Sequence, residues 1–329
     1  MKIGMMSFAH MHAYTYAKLL NQRTDVELVA IWDDDQQRGL AASKTFRSLF
    51  YGDVAEFLAL DLEAVVICSE NSKHHDLVIQ AAKAGKHILC EKPIATEVQD
   101  AKEMIEVCER NQVILQIAFP VRFAPSIRRA RAVIQSGDLG DILAVKATNH
   151  GQMPGGWFVN KSLSGGGAAT DHIVHVMDII RWVLQTEVKD VYAELDTRFY
   201  DIDVEDCGMV SLALESGAIA TIDPSWSRPK TFPMWGDVTL EFVGTKGTLA
   251  VDAYKQSSKY YNDSEGKVQL IPWGDDMDEG LIYDFVRCVQ TKGMPSITGE
   301  DGLRTLEVVK AAYQSHQDKQ TVPVSRVMI

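Results

Sequence analysis

Two short segments of the chain contain residue types that could act together on a proton. One is Glu91-Lys92-Pro93, which follows an apolar run of the kind that forms a β-strand. The other is Gly165-Gly166-Gly167, which leads into Asp171, His175 and Asp178. A lysine beside a proline-fixed turn and an Asp–His pair one helical turn apart can assemble a proton-transfer site. We therefore predict that the two segments meet in the folded chain.

Lys92 is the candidate for stabilising negative charge on a reacting oxygen. Proline fixes its own φ and keeps the preceding residue extended, so Pro93 holds Lys92 in a defined direction. A lysine in that position can hydrogen-bond a substrate oxygen and stabilise a developing alkoxide. A surface lysine in an ordinary strand-to-helix turn is the alternative interpretation.

The residues after the three glycines predict a polar stripe on a helix. Asp171, His175 and Asp178 stand at positions i, i+4 and i+7, so they share one face. Polar groups on a face that is normally apolar are costly unless they are paired or line a cavity. His175 is the expected general base, and Asp171 would orient it or bind the substrate. His172, about 100° around the helix, is not expected to join them, and a buried structural Asp–His pair is the alternative.

The turn after the first strand could hold a dinucleotide. A dinucleotide-binding fold carries the pattern G-x-G-x-x-G there, and this chain has Ser7-Phe8-Ala9-His10-Met11-His12. Ser7 and Ala9 are small enough for a pyrophosphate to approach the backbone, and the next helix offers N–H donors at its N-terminus. A strand-to-helix turn without a ligand is the alternative.

Asp33 strengthens the case for a dinucleotide. It ends the second strand, 24 residues after Ala9, where an acidic residue binds both ribose hydroxyls of the adenosine half. Asp34 and Asp35 add negative charge that would repel a 2′-phosphate. The sequence therefore predicts NAD(H) in preference to NADP(H), with a solvated acidic turn as the alternative.

His10 and His12 also raise the question of a metal site. Their i, i+2 spacing on a turn comes with no carboxylate or cysteine nearby in the sequence. We therefore predict no metal site. His12 is expected to pack on the sheet, and His10 to hydrogen-bond a phosphate.

The order of apolar runs predicts an α/β protein of two domains. Up to about residue 118, short apolar strands alternate with helices, which is typical of a doubly wound parallel sheet whose ligands bind at the carboxyl ends of the strands. From residue 188 to about 262, strands follow one another through glycine turns, which predicts a mostly antiparallel sheet. We place the boundary between residues 1–120 and 121–329. The predicted strands are Ile3–Met6, Val26–Trp32, Ala64–Cys68, His87–Cys90, Val113–Ala118, Ile142–Asn149, Val191–Thr197, Cys207–Leu214, Ala218–Pro224, Val238–Val243 and Thr248–Val251, and the predicted helices include Gln36–Phe46, His74–Ala84, Glu97–Asn111, Pro125–Gln135, Asp171–Gln185, Asp278–Thr291 and Glu300–Gln317.

The composition excludes several classes of partner. The 329 residues are 46% hydrophobic and 24% charged, which is enough apolar content for two ordinary cores and argues against disorder. The net charge of −12 comes without a basic block, so neither nucleic acid nor an anionic membrane is an expected partner. The five cysteines lack Cys-x-x-Cys spacing, and a strand begins at Met1-Lys2-Ile3-Gly4 without a signal peptide, so we expect a cytoplasmic protein.

Taken together, these segments resemble the Gfo/Idh/MocA family of NAD(P)-dependent oxidoreductases. The resemblance covers nearly the whole chain and is specific for the family, although not for a substrate. Besides Glu91-Lys92-Pro93, Asp171, His175 and Asp178, the matching segments are Ala64–Asn71 with His74, Ala84–His87, Arg122-Phe123, Ser136–Gly140, Ser164–Gly167, Arg181-Trp182, Val243–Gly247 and Thr298–Gly302. The main departure is the loss of the glycine pattern at Ser7, Ala9 and His12.

The resemblance implies roles for particular residues. It implies a Rossmann domain followed by an α/β domain with a large open sheet that builds homodimers or homotetramers. Lys92, Asp171 and His175 would be the catalytic residues. Cofactor contacts would come from Ser7, Ala9, His10, His12, Asp33, Ser69, Asn71, His74, Glu91, Lys92 and Arg122. The substrate would meet Lys92, Asp171 and His175, with His150, Trp157 and Trp226 as candidate sugar contacts that could equally be packing residues.

The implied activity is a hydride transfer. NAD would take hydride from a secondary alcohol of a sugar, inositol or related polyol, while His175 takes the hydroxyl proton. Three alternatives stay open on the sequence alone. One is a hydrolase that uses NAD transiently to cleave a glycosidic bond, and another is a non-catalytic nucleotide sensor on the same fold. The third is a partner subunit whose surface matters more than its cleft.

Overall fold

A six-stranded parallel sheet forms the centre of the N-terminal part of the chain. The structure, a computed structural model, describes residues 1–329 except for the side chain of residue 272. The sheet has the order β3-β2-β1-β4-β5-β6, and every neighbouring pair is parallel. Its strands are β1 (Lys2–Met6), β2 (Glu27–Trp32), β3 (Leu49–Tyr51), β4 (Ala64–Ile67), β5 (His87–Glu91) and β6 (Leu115–Ala118). This order is that of the doubly wound dinucleotide-binding fold.

Helices cover both faces of this sheet. Because neither face meets water, the strands are nearly continuous apolar runs, and all four residues of β4 are buried. The covering helices are α1 (His12–Asn21), α2 (Gln36–Phe46), α3 (Val54–Leu58), α4 (His74–Lys83) and α5 (Val98–Arg110).

A seven-stranded mixed sheet forms the centre of the C-terminal part. Its order is β12-β11-β7-β10-β9-β8-β15, in which β10 and β7 run parallel and the other pairs antiparallel. The strands are β7 (Ile142–Gly151), β8 (Val188–Asp196), β9 (Cys207–Leu214), β10 (Ile219–Asp223), β11 (Gly236–Gly244), β12 (Gly247–Asp252) and β15 (Val322–Pro323). A separate hairpin joins β13 (Ser257–Asn262) to β14 (Lys267–Pro272).

Helices pack on one face of the mixed sheet. The helices of this part are α6 (Pro125–Gln135), α7 (Lys161–Ser164), α8 (Ala168–Leu184), α9 (Met277–Thr291) and α10 (Gly299–Asp318). Of these, α8 and α10 pack against each other and against the strands. Buried and exposed residues alternate along β8 and β9, as expected for strands with one face in the core and one in water.

The two parts of the chain are in close contact. Helix α9 packs on α1 of the N-terminal part, and α10 packs on α5 and β6. The predicted boundary at residue 120 falls in the 3-10 turn Pro120–Phe123, between the two sheets, and stays a prediction. The arrangement brings the carboxyl ends of the parallel strands towards the start of α8.

The structure confirms the predicted fold class and corrects several details. The three-residue strand β3, the hairpin of β13 and β14, strand β15 and the short helices α3 and α7 were not predicted. Helix α8 begins at Ala168, three residues before the predicted start. Within the described part of the chain, none of the helices combines the length and apolarity needed to cross a membrane.

Candidate active site

Lys92 reaches across the interface between the two sheets to the start of α8. It follows the last residue of β5 and is joined to Pro93 by a cis peptide bond. Its ammonium Nζ donates hydrogen bonds to the Asp171 carboxylate oxygen Oδ1 at 2.5 Å and to the Asp171 carbonyl oxygen at 3.3 Å. Lys92 is only 4% exposed, so this pair lies almost out of contact with water. The predicted meeting of the two segments is therefore present in the structure.

The Asp171 carboxylate is held by three partners. Besides Lys92, the Trp226 indole Nε1 donates to its Oδ2 at 3.1 Å, and the His172 Nε2 lies 3.3 Å from the same oxygen. Burial alone would raise the pKa of Asp171, but the charge of Lys92 and these contacts outweigh burial and hold the pKa below its usual range. Asp171 is therefore a permanent anion that fixes the Lys92 ammonium.

His175 lies one helical turn beyond Asp171 and is also buried. Burial first, and the nearby charge of Lys92 second, lower its pKa well below the ordinary value of 6.5. Its ring meets Phe119 edge-on with centroids 6.0 Å apart, and its Nδ1 has no hydrogen-bond partner among the described residues. The imidazole is therefore neutral near pH 7, which is the state a general base requires.

These three side chains line one cavity between the two sheets. The cavity is partly open to solvent and has a volume of about 80 Å³. Its lining residues are His10, Met11, His12, Lys92, Pro120, Val121, Asn149, Phe158, Asp171, His172, His175, Trp235, Tyr254, Met277 and Asp278. His172 belongs to this lining, so the expectation that it would lie apart from Asp171 and His175 was wrong.

Arg122 and Asp178 lie outside the cavity and form a separate buried ion pair. The Arg122 guanidinium binds both oxygens of the Asp178 carboxylate and donates to the Ser296 carbonyl oxygen at 2.6 Å. It also lies 5.4 Å from the ring centroid of Trp182. Asp178 therefore helps to anchor α8, and the structure does not bring Arg122 together with the catalytic candidates.

The turn after β1 keeps the shape expected of a dinucleotide-binding turn without its glycines. Ser7 has a φ of 70°, the left-handed region in which glycine is usually found. The Phe8 N–H donates to the Asp33 Oδ2 at 2.8 Å, and the Ala9 N–H to the Ser7 Oγ at 3.2 Å. Met11, at the N-cap of α1, makes no side-chain capping bond, but the His12 N–H in the first turn donates to the His10 Nδ1 at 3.2 Å. The turn therefore has the backbone conformation of a dinucleotide-binding turn, while most of its N–H groups already have partners within the protein.

Asp33 ends β2 as predicted, but its carboxylate is bound by a neighbouring cation. The Arg38 guanidinium donates to both oxygens, with Nη2 at 2.6 Å from Oδ1 and Nε at 2.9 Å from Oδ2. Arg38 also reaches Asp34 at 3.0 Å, and Lys73 lies 2.5 Å from the other oxygen of Asp34. The acidic cluster is therefore neutralised in part by two cations that the sequence interpretation did not consider.

His10 and His12 meet a carboxylate that the sequence argument did not foresee. The His12 Nδ1 lies 2.9 Å from the Glu91 Oε1, and the His10 Nδ1 lies 3.9 Å from the same oxygen. Ligand atoms of the three residues all fall within 4.8 Å of one another. The premise that no carboxylate is near the two histidines was therefore wrong, because Glu91 comes from a distant strand.

The remaining cofactor candidates bridge segments at the carboxyl end of the parallel sheet. The Asn71 Nδ2 donates to the Ser164 carbonyl oxygen at 2.8 Å, which joins the two parts of the chain. The His74 Nδ1 lies 2.9 Å from the Pro93 carbonyl oxygen and its Nε2 lies 3.3 Å from the Ser69 carbonyl oxygen, so its ring ties β4 to β5. Ser69 and His74 are fully buried in these contacts, and their cofactor roles stay predictions.

The three predicted sugar contacts lie in three different places. His150 lies on the face of β7 that points away from the cavity, where it lies 3.0 Å from Asp223 and 3.3 Å from Asp237. Trp157, from the turn Gly156–Val159, packs against the turn after β1. Its Nε1 donates to the Ala9 carbonyl oxygen at 3.1 Å. Trp226 is fully buried and holds Asp171, so it is a core residue. The structure brings none of the three next to His175.

Among the cavity residues that sequence reasoning missed besides His172 are Asn149 and Asp278. Asn149 faces the cavity from β7, and period-two alternation along Ile142–Gly151 could have shown that Asn149 and His150 occupy opposite faces. Asp278 lies at the start of α9. Acidic residues are common at helix N-termini, so its position in the sequence does not indicate a binding role.

Comparison with known proteins identifies the family. Residues 1–119 match the family model described as the oxidoreductase family, NAD-binding Rossmann fold, and residues 127–250 match the GFO/IDH/MocA C-terminal domain. The chain belongs to the Gfo/Idh/MocA family. As a member of this family it is an oxidoreductase with an NAD-binding Rossmann domain, as the sequence predicted.

Relatives in the Gfo/Idh/MocA family are similar to this chain over most of their length. Myo-inositol 2-dehydrogenase of Thermotoga maritima is 27% identical over 100% of both chains. D-glucoside 3-dehydrogenase of Escherichia coli is 28% identical, with 89% of each chain covered. Among solved structures, GenD2 from gentamicin A biosynthesis in complex with NAD aligns with a TM-score of 0.91 at 24% identity, covering 99% of this chain and 97% of that one, and shows the shared fold.

Proposed function

We propose that this protein transfers hydride between NAD(H) and a secondary alcohol or ketone of a sugar, inositol or related polyol. The observation that carries the proposal is the Lys92–Asp171 pair, 2.5 Å long, in the same cavity as the neutral His175. The inositol and glucoside dehydrogenases to which the chain is similar support the substrate class.

Each of the three side chains has one task in this reaction. The Lys92 ammonium has three donors and uses two of them on Asp171, so it can donate to the reacting oxygen. The neutral His175 accepts the hydroxyl proton during oxidation and returns it during reduction. Asp171 holds the Lys92 ammonium in place through two hydrogen bonds. NAD, when bound, supplies the hydride acceptor, and the turn Ser7–His12 with Asp33 would hold it.

Turnover by single-residue variants tests the proposed roles. Lys92→Ala and His175→Ala are each expected to lower kcat by about 10²–10⁴-fold on a confirmed polyol substrate, because a positioned proton-transfer group contributes that much. NAD binding is expected to persist in both. His75→Ala is the matched control, since His75 lies on α4 away from the cavity and pairs with Asp76 and Glu103. Activity within tenfold of the parent in both cavity variants contradicts the proposal.

The hydrolase alternative differs in its use of NAD. A glycosidase of that type oxidises and then reduces the same sugar, so it consumes no NAD overall. The proposed dehydrogenase forms one NADH for each alcohol oxidised, and absorbance of the reduced cofactor measures this ratio directly.

The proposal also covers the oligomeric state and the cellular location of the enzyme. We expect a homodimer or homotetramer that assembles through the open face of the mixed sheet, and a location in the cytoplasm. The oligomer is supported by the uncovered outer face of β8, β9 and β10. The location is supported by the five unpaired cysteines.

A further inference from the structure

The cavity contains one carboxylate that has no cationic partner of its own. Lys92 is matched by Asp171 at 2.5 Å, and the buried Glu91 lies 2.9 Å from His12. The pKa of His12 is raised, because the Glu91 carboxylate outweighs the burial that would lower it. Asp278 lines the same cavity, and its Oδ1 is buried without a hydrogen-bond partner among the described residues.

Asp278 is not needed to cap its own helix. It is the second residue of α9, and Asp276 caps this helix by accepting hydrogen bonds from the Asp278 N–H at 2.8 Å and the Glu279 N–H at 3.2 Å. Burial raises the pKa of Asp278 to about 6, despite the opposing influence of His12. An unpaired carboxylate in this position costs stability, which a ligand that pairs with it would recover.

A second buried acceptor faces the same cavity. Asn149 is 7% exposed, lines the cavity from β7, and has an amide oxygen Oδ1 without a partner in the described part of the chain. A carboxylate and an amide oxygen that both lack donors favour a ligand that brings several N–H or O–H groups. These two oxygens on the cavity wall therefore need hydrogen-bond donors from a ligand. The Asp278 carboxylate, which lacks a cationic partner, leaves the wall with a negative charge.

We propose that the preferred substrate is an amino-substituted sugar or cyclitol, and that Asp278 binds its ammonium group. This proposal rests on the hydride-transfer function above and specifies its substrate. An ammonium group offers three donors and a full positive charge, so it satisfies the Asp278 carboxylate better than a hydroxyl does. Sugars with a carboxylate or phosphate would instead add a second unpaired negative charge to the same cavity.

The amine takes no part in the chemical step. The C–H bond of a secondary alcohol elsewhere on the ring breaks, and its hydride passes to NAD. The hydroxyl proton passes to His175, and the carbon–oxygen single bond becomes a ketone. The ammonium stays protonated and fixes which ring carbon lies beside Lys92 and His175.

Binding of matched ligands tests the proposal. The probes are sets of amino sugar, parent sugar and N-acetylated sugar, such as D-glucosamine, D-glucose and N-acetyl-D-glucosamine, together with aminocyclitols and the corresponding inositols. Dissociation constants are measured by calorimetry with NADH saturating, so that no turnover occurs. At least one amine is expected to bind about tenfold or more tightly than both neutral partners, since charged hydrogen bonds contribute roughly 1.5–3 kcal/mol. If every amine binds no better than its hydroxyl analogue, or none binds, the proposal is overturned.

Variants separate the role of Asp278 from the rest of the site. Asp278→Asn is expected to remove the preference for the amine, so that the dissociation constants of the amine and of its neutral partner become equal within a few-fold. Asp275→Asn is the control, because Asp275 is exposed just before α9. A preference that survives in Asp278→Asn overturns the assignment, and an unstable variant leaves the comparison of ligands on the parent protein as the deciding measurement. Failure of the amine preference leaves intact the polyol oxidation that depends on Lys92 and His175, so the two proposals fail separately.

Discussion

The charge of Lys92 connects the three catalytic candidates. It pairs with Asp171 at 2.5 Å and at the same time disfavours a second positive charge on His175. One lysine therefore holds an anion in place and adds to the effect of burial, which is the main reason that the neighbouring imidazole stays neutral. The arrangement prepares a base and a hydrogen-bond donor in the same cavity without further rearrangement of charge.

The lowered pKa of His175 sets the expected pH dependence. The base has to be neutral, so kcat/KM for oxidation falls only when the pH drops through its folded-state pKa, which lies well below 6.5. We expect a constant kcat/KM from neutral pH to below 6.5 and a fall under more acidic conditions. Steady-state rates between about pH 4.5 and 9 measure this profile, with circular dichroism at each pH to exclude unfolding. An acid limb centred at or above pH 6.5 would contradict the assignment.

Arg38 is expected to weaken the preference for NAD over NADP. Its guanidinium holds Asp33 and lies beside Lys73 and Asp34, where a 2′-phosphate would approach the ribose end. Arg38→Ala should lower NADPH affinity about tenfold or more, since a charged hydrogen bond is worth roughly 1.5–3 kcal/mol, and should leave NADH affinity within a few-fold. Thermal shift and calorimetry with both cofactors measure the ratio.

The control for Arg38 is Arg23→Ala, because Arg23 pairs with Asp25 elsewhere on the surface. An unchanged ratio of NADH to NADPH affinity in Arg38→Ala would mean that Arg38 only neutralises Asp33. A larger loss of NADH affinity than of NADPH affinity would also contradict the expectation, because it would mean that Arg38 favours NADH.

Sequence spacing could identify the catalytic candidates but not their surroundings. Asp171 and His175 are one turn apart, and Lys92 follows a strand, so local periodicity was enough to place them. Trp226 and Asp278 reach the site from segments far away in the sequence, and no local pattern records such contacts. Local reasoning therefore locates the candidate catalytic side chains better than the side chains that surround them.

The start of α8 depends on close packing that the three glycines permit. A Cβ atom on Gly167 would lie 2.0 Å from the Glu205 carbonyl oxygen, so only glycine fits there. The Glu205 carboxylate Oε1 then accepts the N–H groups of Gly167 at 2.8 Å and Ala169 at 3.1 Å, and the Tyr313 hydroxyl at 2.6 Å. Glu205 thus caps the helix that carries Asp171 and His175.

Glu205→Ala is expected to loosen this helix start. Loss of a helix cap costs about 0.5–2 kcal/mol, so the free energy of unfolding should fall by about that amount. Because Asp171 lies in the first turn of α8, kcat should fall as well, while NAD affinity stays unchanged. Urea unfolding and steady-state kinetics measure the two effects. Tyr313→Phe is the control, since it removes one donor to Glu205 and leaves the cap, and equal losses in both variants would contradict a capping role.

Among the elements that sequence reasoning missed, β3 and the hairpin of β13 and β14 bury little of their surface. Strand β3 has three residues at the edge of the parallel sheet, and Leu49 is 56% exposed. Strands β13 and β14 pair with each other, and Tyr260 and Tyr261 are exposed. A strand that buries neither face shows no apolar run and no alternation, which are the two signals available in a sequence. Helix α2 and strand β9, which pack on the core, were predicted with their observed bounds.

The two faces of the mixed sheet differ in what covers them. Helices α8 and α10 cover the inner face, and residues of β8, β9 and β10 alternate between that core and the outer face. On the outer face Met209 is 55% and Ile219 is 61% exposed, with Tyr192 on the neighbouring strand. Large apolar side chains among polar ones on an open sheet are typical of a subunit interface.

Ile219→Lys is expected to convert the proposed homo-oligomer to monomers. In a two-fold interface the same patch occurs on both subunits, so one substitution introduces two buried charges without partners. Light scattering after size-exclusion chromatography measures the mass across a range of concentrations. Leu49→Lys is the matched control, because it places the same charge at a similarly exposed position of the parallel sheet. An unchanged oligomer in Ile219→Lys would show that another surface joins the subunits. The monomer should still bind NAD, since the Ser7–His12 turn and Asp33 lie in the other half of the chain.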